Sequence, residues 1–186
     1  RLFGSEPERG DVVVFRHPVT GRDFIKRLIG IPGDRLQVID GVLHINDEPV
    51  GLEQVGLFSE LSEPQGPEGN MPRCTNGGGG YVPVGSECLK ERFIETLPNG
   101  VSHSILNIVD QGQDSPDNTG VFTVPEGQYF FMGDNRDNSQ DSRRAQELGG
   151  VGFVNYEDIV GRADRIMFSS AGRSLSPWPR SSGTRT

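Results

Sequence analysis

A lysine lies in the middle of a segment whose other residues have the pattern of a buried β-strand. The segment reads DFIKRLIGIPGD, from Asp23 to Asp34, and its Pro-Gly pair predicts a turn at the end of the strand. Because side chains alternate between the two faces of a strand, Lys26 shares a face with Phe24 and Leu28. Lysine is seldom fully buried, so Lys26 either keeps its ammonium group in water at a strand edge or has a chemical role.

The chemistry that a buried lysine offers is proton transfer. Burial among apolar side chains disfavours the ammonium form and lowers the lysine pKa. A neutral amine is a competent general base near neutral pH, and a serine nucleophile with a lysine base is a known variant of the Ser-His-Asp triad. A histidine triad has little support, because His17, His44 and His103 are scattered and none lies in a serine-elbow sequence.

A second segment, GDNRDNSQDSR from Gly133 to Arg143, directly follows the apolar strand sequence YFFM. It contains three Asp, two Arg, two Asn and two Ser residues. An EF-hand calcium loop is excluded, because Arg136 stands where an oxygen ligand is required and the essential glycine is missing. Two interpretations stay open: a solvated loop, or a hydrogen-bonded scaffold of Asp–Arg pairs and hydroxyl groups at the end of a buried strand.

The elements that must position these two segments are mainly β-strands. With 33% apolar residues, 26 Gly and 13 Pro, the composition favours an all-β protein with long connections. Asp40-Gly41 predicts a type I′ hairpin turn, Pro98-Asn99-Gly100 predicts a second hairpin, and DSRRAQELGG predicts one short helix ended by glycine. The segments with strand patterns are GDVVVFRHP, FIKRLIGI, RLQVIDGVLHIN, ERFIETLPNGVSHSILNIV, VFTVPEGQYFFM and VGFVNYEDIVGRADRIMF.

A polar region rich in Gly, Pro and Glu extends over residues 50–86 and predicts an excursion with little core of its own. Cys74 and Cys88 belong to the Gly-rich part of the chain. They form either a disulfide, which indicates an oxidising compartment, or two free thiols. A zinc site is disfavoured, because two thiols without nearby histidines cannot complete a tetrahedral shell.

The charge and hydropathy of the chain argue against two other functions. A net charge of −8 and the absence of a basic stripe disfavour a nucleic-acid partner, which would need clustered Lys and Arg. The 186 residues contain no run of about 18 apolar residues, so the chain as given is not expected to span a membrane.

Three segments together resemble the type I signal peptidases, the bacterial leader peptidases of the Ser/Lys class. RGDVVVFRHP (Arg9–Pro18) resembles the strand motif that begins the family's core. FIKRLIGIPGD (Phe24–Asp34) resembles the lysine motif, and GDNRDNSQDSR (Gly133–Arg143) resembles the final motif. The order of the three matches the family, the second and third are highly specific, and the resemblance covers the chain from about Arg9 to Ser169.

The resemblance implies a role for each matching residue. Lys26 falls on the general base, and Ser139 falls on the hydroxyl that orients this lysine. Two Asp–Arg pairs are expected to brace the site; they are Asp141 with Arg143, and Asp134 with Arg27. The mechanism needs no metal and no organic cofactor.

The family's fold is mainly β, with a β-sheet catalytic core that is interrupted by an inserted second β domain of variable length. In this chain the resemblance implies a core at residues 1–34 and 126–175 and an inserted domain at 35–125. Cys74 and Cys88 would lie in the insertion. Residues 176–186 are expected to form a disordered tail.

One family motif does not occur in the sequence. Family members carry the nucleophilic serine in a Ser-Met-x-Pro motif upstream of the first strand motif, after one or more membrane spans. Asn70-Met71-Pro72 does not substitute for it. We therefore expect that the nucleophilic serine is not in this chain, and that the chain alone is inactive although it comes from an active enzyme.

The intact protein is then expected to be a membrane-bound serine endopeptidase of the bacterial cytoplasmic membrane, with its catalytic domain on the periplasmic side. Its partners would be preprotein signal peptides, with small residues before the cleaved bond, and the membrane surface. Two alternatives stay open: another Ser/Lys self-processing peptidase, such as a self-cleaving repressor, and a non-catalytic β-rich binding module that retains the fold.

Overall fold

The computed structural model describes residues 6–66, 69–108 and 116–163, which form three antiparallel β-sheets. This architecture confirms the mainly-β fold class. The tail predicted for residues 176–186 lies outside the described residues. Within the described ranges, no helix has both the length and the apolar character needed to cross a membrane.

The first sheet carries the Lys26 segment at its centre. In spatial order its strands are β11 (Val154–Asn155), β10 (Gln128–Met132), β2 (Asp23–Gly30), β1 (Val12–Arg16) and β12 (Ile159–Arg162). β1 pairs with β2 along its whole length, whereas the pairing between β10 and β2 ends where Met132 faces Arg27. The first part of β2 therefore has a strand neighbour on one side only among the described residues.

The second sheet contains the hairpin that was predicted at Asp40-Gly41. Its strands, in spatial order, are β5 (Glu48–Pro49), β4 (Val42–Ile45), β3 (Arg35–Ile39) and β9 (Phe122–Thr123). Asp40 and Gly41 both have positive φ angles, 48° and 78°, as a type I′ turn requires. The predicted Pro-Gly turn before this sheet is also present, because Gly33 has a φ angle of 88° and the Asp34 amide donates to the Ile31 carbonyl.

The third sheet consists of β6 (Gly51–Leu61), β7 (Glu87–Thr96) and β8 (Ser102–Asn107). Residues 50–86 were expected to form an excursion with little core of its own, and its first part is β6, a strand of 11 residues that the sequence pattern did not predict. An irregularity between Gln54 and Gly56 shifts the register against β7, and most of β6 is exposed at the sheet edge. The period-two pattern that would reveal the strand is interrupted at this point.

The predicted short helix in DSRRAQELGG is a single 3₁₀ turn, Gln146–Leu148, followed by Gly149 in the left-handed conformation. Cys74 in the polar region and Cys88 on β7 are joined by a disulfide, and both are fully buried. The disulfide attaches the Gly-rich segment to β7, so this segment is held by a covalent bond as well as by its backbone hydrogen bonds.

Two hydrophobic clusters lie on opposite faces of the first sheet. The first cluster consists of Val13, Phe15, Leu28, Tyr129, Phe131, Val151 and Val154. The second joins the first sheet to the second sheet and consists of Ile29, Leu36, Val38, Leu43, Ile45, Val50, Leu97, Val124, Phe130 and Met132. The second cluster crosses the expected boundary at residue 34, so residues 35–50 share a core with the first sheet. The division into two domains stays a prediction.

Candidate active site

Lys26 lies on the face of β2 that also carries Phe24 and Leu28, and its side chain is half-buried. Its Nζ donates a hydrogen bond to Ser139 Oγ over 3.0 Å, across 113 residues of sequence. Burial is the largest influence on the Lys26 pKa and lowers it below the ordinary range, with help from the charge of Arg143. Asp141 and Asp134 oppose this shift without cancelling it.

The segment from Gly133 to Arg143 folds back on the strand that precedes it. After β10 it makes a 3₁₀ turn, Arg136–Asn138, and then returns to β10. Ser142 closes this return, because its amide donates to the Phe131 carbonyl and its Oγ accepts from the Phe131 amide, both over 2.9 Å. The segment is therefore an ordered scaffold, and the alternative of a solvated loop is wrong.

Asp141 and Arg143 form a buried ion pair whose two charges both act on Lys26. The Asp141 carboxylate accepts from Arg143 Nε and Nη2 over 3.0 and 2.9 Å, and from the Gly133 amide over 3.1 Å. Burial alone would raise the pKa of the Asp141 carboxyl group. The charge and hydrogen bonds of Arg143, together with the Gly133 amide, more than offset burial and hold this pKa below its ordinary range.

Asp134 and Arg27 form the second expected pair, at the side of the site that is nearer to solvent. Arg27 Nε and Nη2 donate to the two carboxylate oxygens of Asp134 over 2.8 and 2.7 Å. Arg27 Nη1 also donates to the Gly10 carbonyl over 2.8 Å. All six residues expected at the site therefore lie together, although β2 and the Gly133–Arg143 segment are about a hundred residues apart.

The site opens into a cavity of about 290 Å³. Its lining comprises Val12, Ile25, Lys26, Arg27, Gly133, Asp134, Asn135, Asn138 and Ser139. A larger cavity, of about 640 Å³, lies beside Arg143 and Arg144 and does not include Lys26. We assign the chemistry to the smaller cavity, because it contains the lysine with the lowered pKa and the hydroxyl group that is bound to it.

Comparison with known proteins identifies the family. Residues 3–168 match the family model described as signal peptidase, peptidase S26. The chain belongs to this signal peptidase family.

Individual relatives are similar along most of the chain. Signal peptidase I of Rickettsia typhi is 42% identical over 179 residues, which cover 91% of this chain and 55% of the relative. Signal peptidase I of Rickettsia prowazekii is 40% identical over 179 residues, with the same coverage. The chain thus spans about half the length of these curated relatives. A crystal structure of a signal peptidase I from Enterococcus faecalis is 25% identical, covers 86% of this chain and 97% of the solved chain, and has a TM-score of 0.44.

Gly133 is a site residue that the sequence interpretation missed. A Cβ atom at this position would lie 2.1 Å from Ser139 Oγ and 3.5 Å from Lys26 Nζ. Only the absence of a side chain allows Ser139 to approach β10 and meet the lysine. A glycine at the start of a polar segment suggests a turn, so its sequence context does not disclose this packing role.

Replacement of Gly133 by alanine is expected to displace Ser139 and break its hydrogen bond with Lys26. A misplacement of about 1 Å costs on the order of 10²-fold in catalytic rate, and we expect a loss of this size in kcat of the intact enzyme. Gly120→Ala is the matched control, since its Cβ would meet no atom within 4 Å. Equal kcat values for the Gly133→Ala variant and the wild type would contradict the packing role.

Arg136 is the second feature that the sequence interpretation missed. It lies inside the Gly133–Arg143 segment, but its partner is Glu95 of β7, to which its Nη1 and Nη2 donate over 2.8 and 2.5 Å. Burial alone would raise the Glu95 pKa, yet the charge and hydrogen bonds of Arg136, together with the His103 ring 3.3 Å away, lower it to about 2. The site segment is therefore tied to the third sheet by a buried ion pair.

Proposed function

We propose that the intact protein is a membrane-bound serine endopeptidase that removes signal peptides from exported preproteins, with Lys26 as its general base. The observation that carries this proposal is the Lys26 amine itself. Its pKa is lowered mainly by burial, and its Nζ lies 3.0 Å from Ser139 Oγ at the wall of an open cavity. Membership of the signal peptidase family supports the same reaction.

The first step is a proton transfer to Lys26. A neutral amine that donates one N–H to Ser139 Oγ still has its lone pair available to accept a proton. The nucleophilic serine of the intact protein attacks the scissile carbonyl, and Lys26 takes the proton that the serine hydroxyl loses. The nearby charges of Asp141 and Asp134, which favour the ammonium form, stabilise the lysinium that results.

The remaining steps return that proton and release the product. Protonated Lys26 gives its proton to the leaving amine, which completes peptide-bond cleavage and leaves an acyl-enzyme ester. Neutral Lys26 then takes a proton from a water molecule as the water attacks the ester, and it returns this proton to the departing serine Oγ, which regenerates the serine hydroxyl and the neutral amine. Because the Ser-Met-x-Pro motif does not occur in these 186 residues, we expect the chain alone to be inactive.

The free edge of β2 is suited to bind an extended peptide. On the side that faces β10, pairing ends at Arg27, so residues 23–26 have no strand partner there in the described part of the chain. A substrate strand could add to this edge by main-chain hydrogen bonds, which would place its scissile bond beside Lys26. Val12 and Ile25 give the cavity an apolar wall, which suits small apolar side chains before the cleaved bond.

We place the catalytic domain on the periplasmic side of the bacterial cytoplasmic membrane, in contact with the membrane surface. The Cys74–Cys88 disulfide supports an oxidising compartment. Ile25 on β2 and Val160 on β12, which are 58% and 49% exposed, provide apolar surface on the first sheet for a lipid contact. Phe15, Phe130 and Phe131 are buried in the core, so they do not contribute to such a surface.

The proposed function can be tested with the full reading frame that contains this chain, expressed in membranes. A preprotein substrate is incubated with these membranes, and the cleaved bond is located by mass spectrometry. We expect a single cut after a small residue, and no cut when that residue is replaced by a bulky one. Cleavage only within the protein's own chain would favour a self-processing peptidase. Cleavage of neither the preprotein nor the protein's own chain would favour a binding module.

A further inference from the structure

The ion pair between Glu95 and Arg136 joins two parts of the protein that are far apart in sequence. Glu95 lies on β7 of the third sheet and is fully buried, and Arg136 lies in the 3₁₀ turn of the Gly133–Arg143 segment and is 6% exposed. We propose that Glu95 is a positioning residue: through Arg136 it sets the place of the segment that holds Ser139 against Lys26. This inference rests on the proposed function for its kinetic consequences but not for its structural ones.

A short chain of contacts leads from Arg136 to the lysine. The Arg136 carbonyl accepts from Arg143 Nη2 over 2.5 Å, and the same Nη2 holds the Asp141 carboxylate over 2.9 Å. Asp141 in turn accepts from the amide of Gly133, against which Ser139 packs. A displacement of Arg136 therefore reaches the Lys26–Ser139 hydrogen bond through groups in direct contact.

Other contacts keep the segment attached to the third sheet when the ion pair is removed. The Leu106 amide donates to the Asp134 carbonyl over 2.8 Å, and the Ile108 amide donates to Asp137 Oδ2 over 2.6 Å. Arg73, next to the disulfide, donates to the Asp137 carbonyl over 3.3 Å. Loss of Glu95 should therefore shift the segment without detaching it from the rest of the fold.

The charges around Arg136 indicate how the segment would shift. Burial alone would lower the Arg136 pKa, but the charge of Glu95, with smaller contributions from Asp141 and Asp134, raises it. Without Glu95, the buried guanidinium must use the remaining carboxylates, Asp141 and Asp134. These are the carboxylates that hold Arg143 and Arg27, so Arg136 would compete with both brace pairs.

The competition has a consequence that a simple loss of stability would not have. The charged groups that act on Lys26 are Asp141, Arg143 and Asp134, and those that face Glu95 are Arg136 and His103. Diversion of Asp141 and Asp134 towards Arg136 makes the lysinium less favourable, because these two carboxylates favour the charged form of Lys26. Lys26 should then titrate at a lower pH, whereas local unfolding would expose Lys26 and move its titration to a higher pH.

The test compares Glu95→Gln with Glu87→Gln, which removes a charge from an exposed position on the same strand. Lys26 and Lys90 are the only two lysines in the 186-residue chain, so ¹³C-lysine labelling gives one resonance for each. We expect Lys26 to titrate at a lower pH in Glu95→Gln than in wild type, and to be unchanged in Glu87→Gln. In the full reading frame, we expect kcat of Glu95→Gln to fall at least about tenfold with KM unchanged.

Two results would overturn the inference. The first is a Glu95→Gln variant whose Lys26 titration and kcat both equal those of the wild type, and the second is a shift of its Lys26 titration to a higher pH. If Glu95→Gln does not fold, Glu95→Asp takes its place in the test. The aspartate keeps the negative charge, but its shorter side chain cannot reach Arg136 unless Arg136 moves. A fall in kcat of Glu95→Asp that is smaller than the tenfold fall expected of Glu95→Gln would support the positioning role. A kcat equal to that of the wild type would contradict it. If the wild-type enzyme cleaves no preprotein, the proposed function fails, while the titration still decides whether Glu95 positions the site.

Discussion

Replacement of Lys26 by arginine or by alanine is expected to abolish preprotein cleavage by the intact enzyme, with a loss of about 10²–10⁴-fold in kcat. Alanine removes the base altogether. Arginine keeps a positive charge and a long side chain, but its guanidinium stays protonated at any pH that the protein tolerates and cannot accept a proton. The arginine variant therefore separates the need for a neutral amine from the need for charge or bulk at this position.

The measurement is the rate of preprotein cleavage at saturating substrate, with the fold of each variant checked by circular dichroism. The residual rate should no longer depend on pH in the range where Lys26 titrates in the wild type. Substantial activity of the Lys26→Arg variant would contradict the base mechanism, because no proton acceptor would remain at the position of Nζ.

Replacement of Asp141 by asparagine is expected to have the largest effect on stability. The Asp141 and Arg143 side chains are 1% and 3% exposed, so the variant leaves a buried guanidinium without its counter-charge. Breaking a buried pair in this way costs about 3–5 kcal/mol of unfolding free energy. Urea unfolding at pH 7 measures this loss of unfolding free energy. The variant should also displace Gly133, whose amide donates to Asp141, together with Ser139, and so reduce kcat of the intact enzyme.

The effect of Asp141→Asn should depend on pH in a defined direction. Because the Asp141 pKa is lowered in the folded protein, its stabilising contribution is complete above the ordinary aspartate pKa of about 3.9. The contribution is lost as the pH falls through the folded-state pKa. The stability difference between wild type and Asp141→Asn should therefore be large at pH 7 and become smaller in strongly acidic solution.

Asp23→Asn is the matched control for this prediction. Asp23 also pairs with an arginine, Arg16, over 3.3 Å, but their side chains are 56% and 63% exposed. An exposed pair of this kind contributes about 0–1 kcal/mol. Equal losses of unfolding free energy in Asp141→Asn and Asp23→Asn would show that burial of the Asp141–Arg143 pair has no energetic consequence.

The sequence predicted the strand that carries Lys26 because its constraints are local. A period-two pattern identifies β2, and the Pro-Gly and Asp-Gly pairs identify the turns at Gly33 and Gly41, where positive φ angles occur. The meeting of Lys26 with Ser139 is not local, since 113 residues separate them. It could be expected only from the family resemblance, because no pattern within either segment indicates the other.

Strand β6 and the burial of Glu95 were also not predicted, and each has an identifiable physical reason. The irregularity in β6 breaks the alternation on which a strand prediction depends. Glu95 shares a face of β7 with Phe93 and Glu91, so charged and apolar residues occur on the same face and no buried side is evident from the sequence. Its burial depends on Arg136, which is 41 residues away.

The proposed mechanism depends on the burial of Lys26, which lowers the pKa of its amine and so favours the neutral form that accepts a proton. Selective ¹³Cε-lysine labelling of the chain gives two resonances, and Lys90, paired with Glu60 on the neighbouring strand, reports in the same sample whether the third sheet is folded. We expect Lys26 to titrate below the ordinary lysine pKa of about 10.4, and we expect this shift to disappear on unfolding in urea. A Lys26 titration at or above the ordinary value, with the Lys90 resonance in its folded position, would contradict the account.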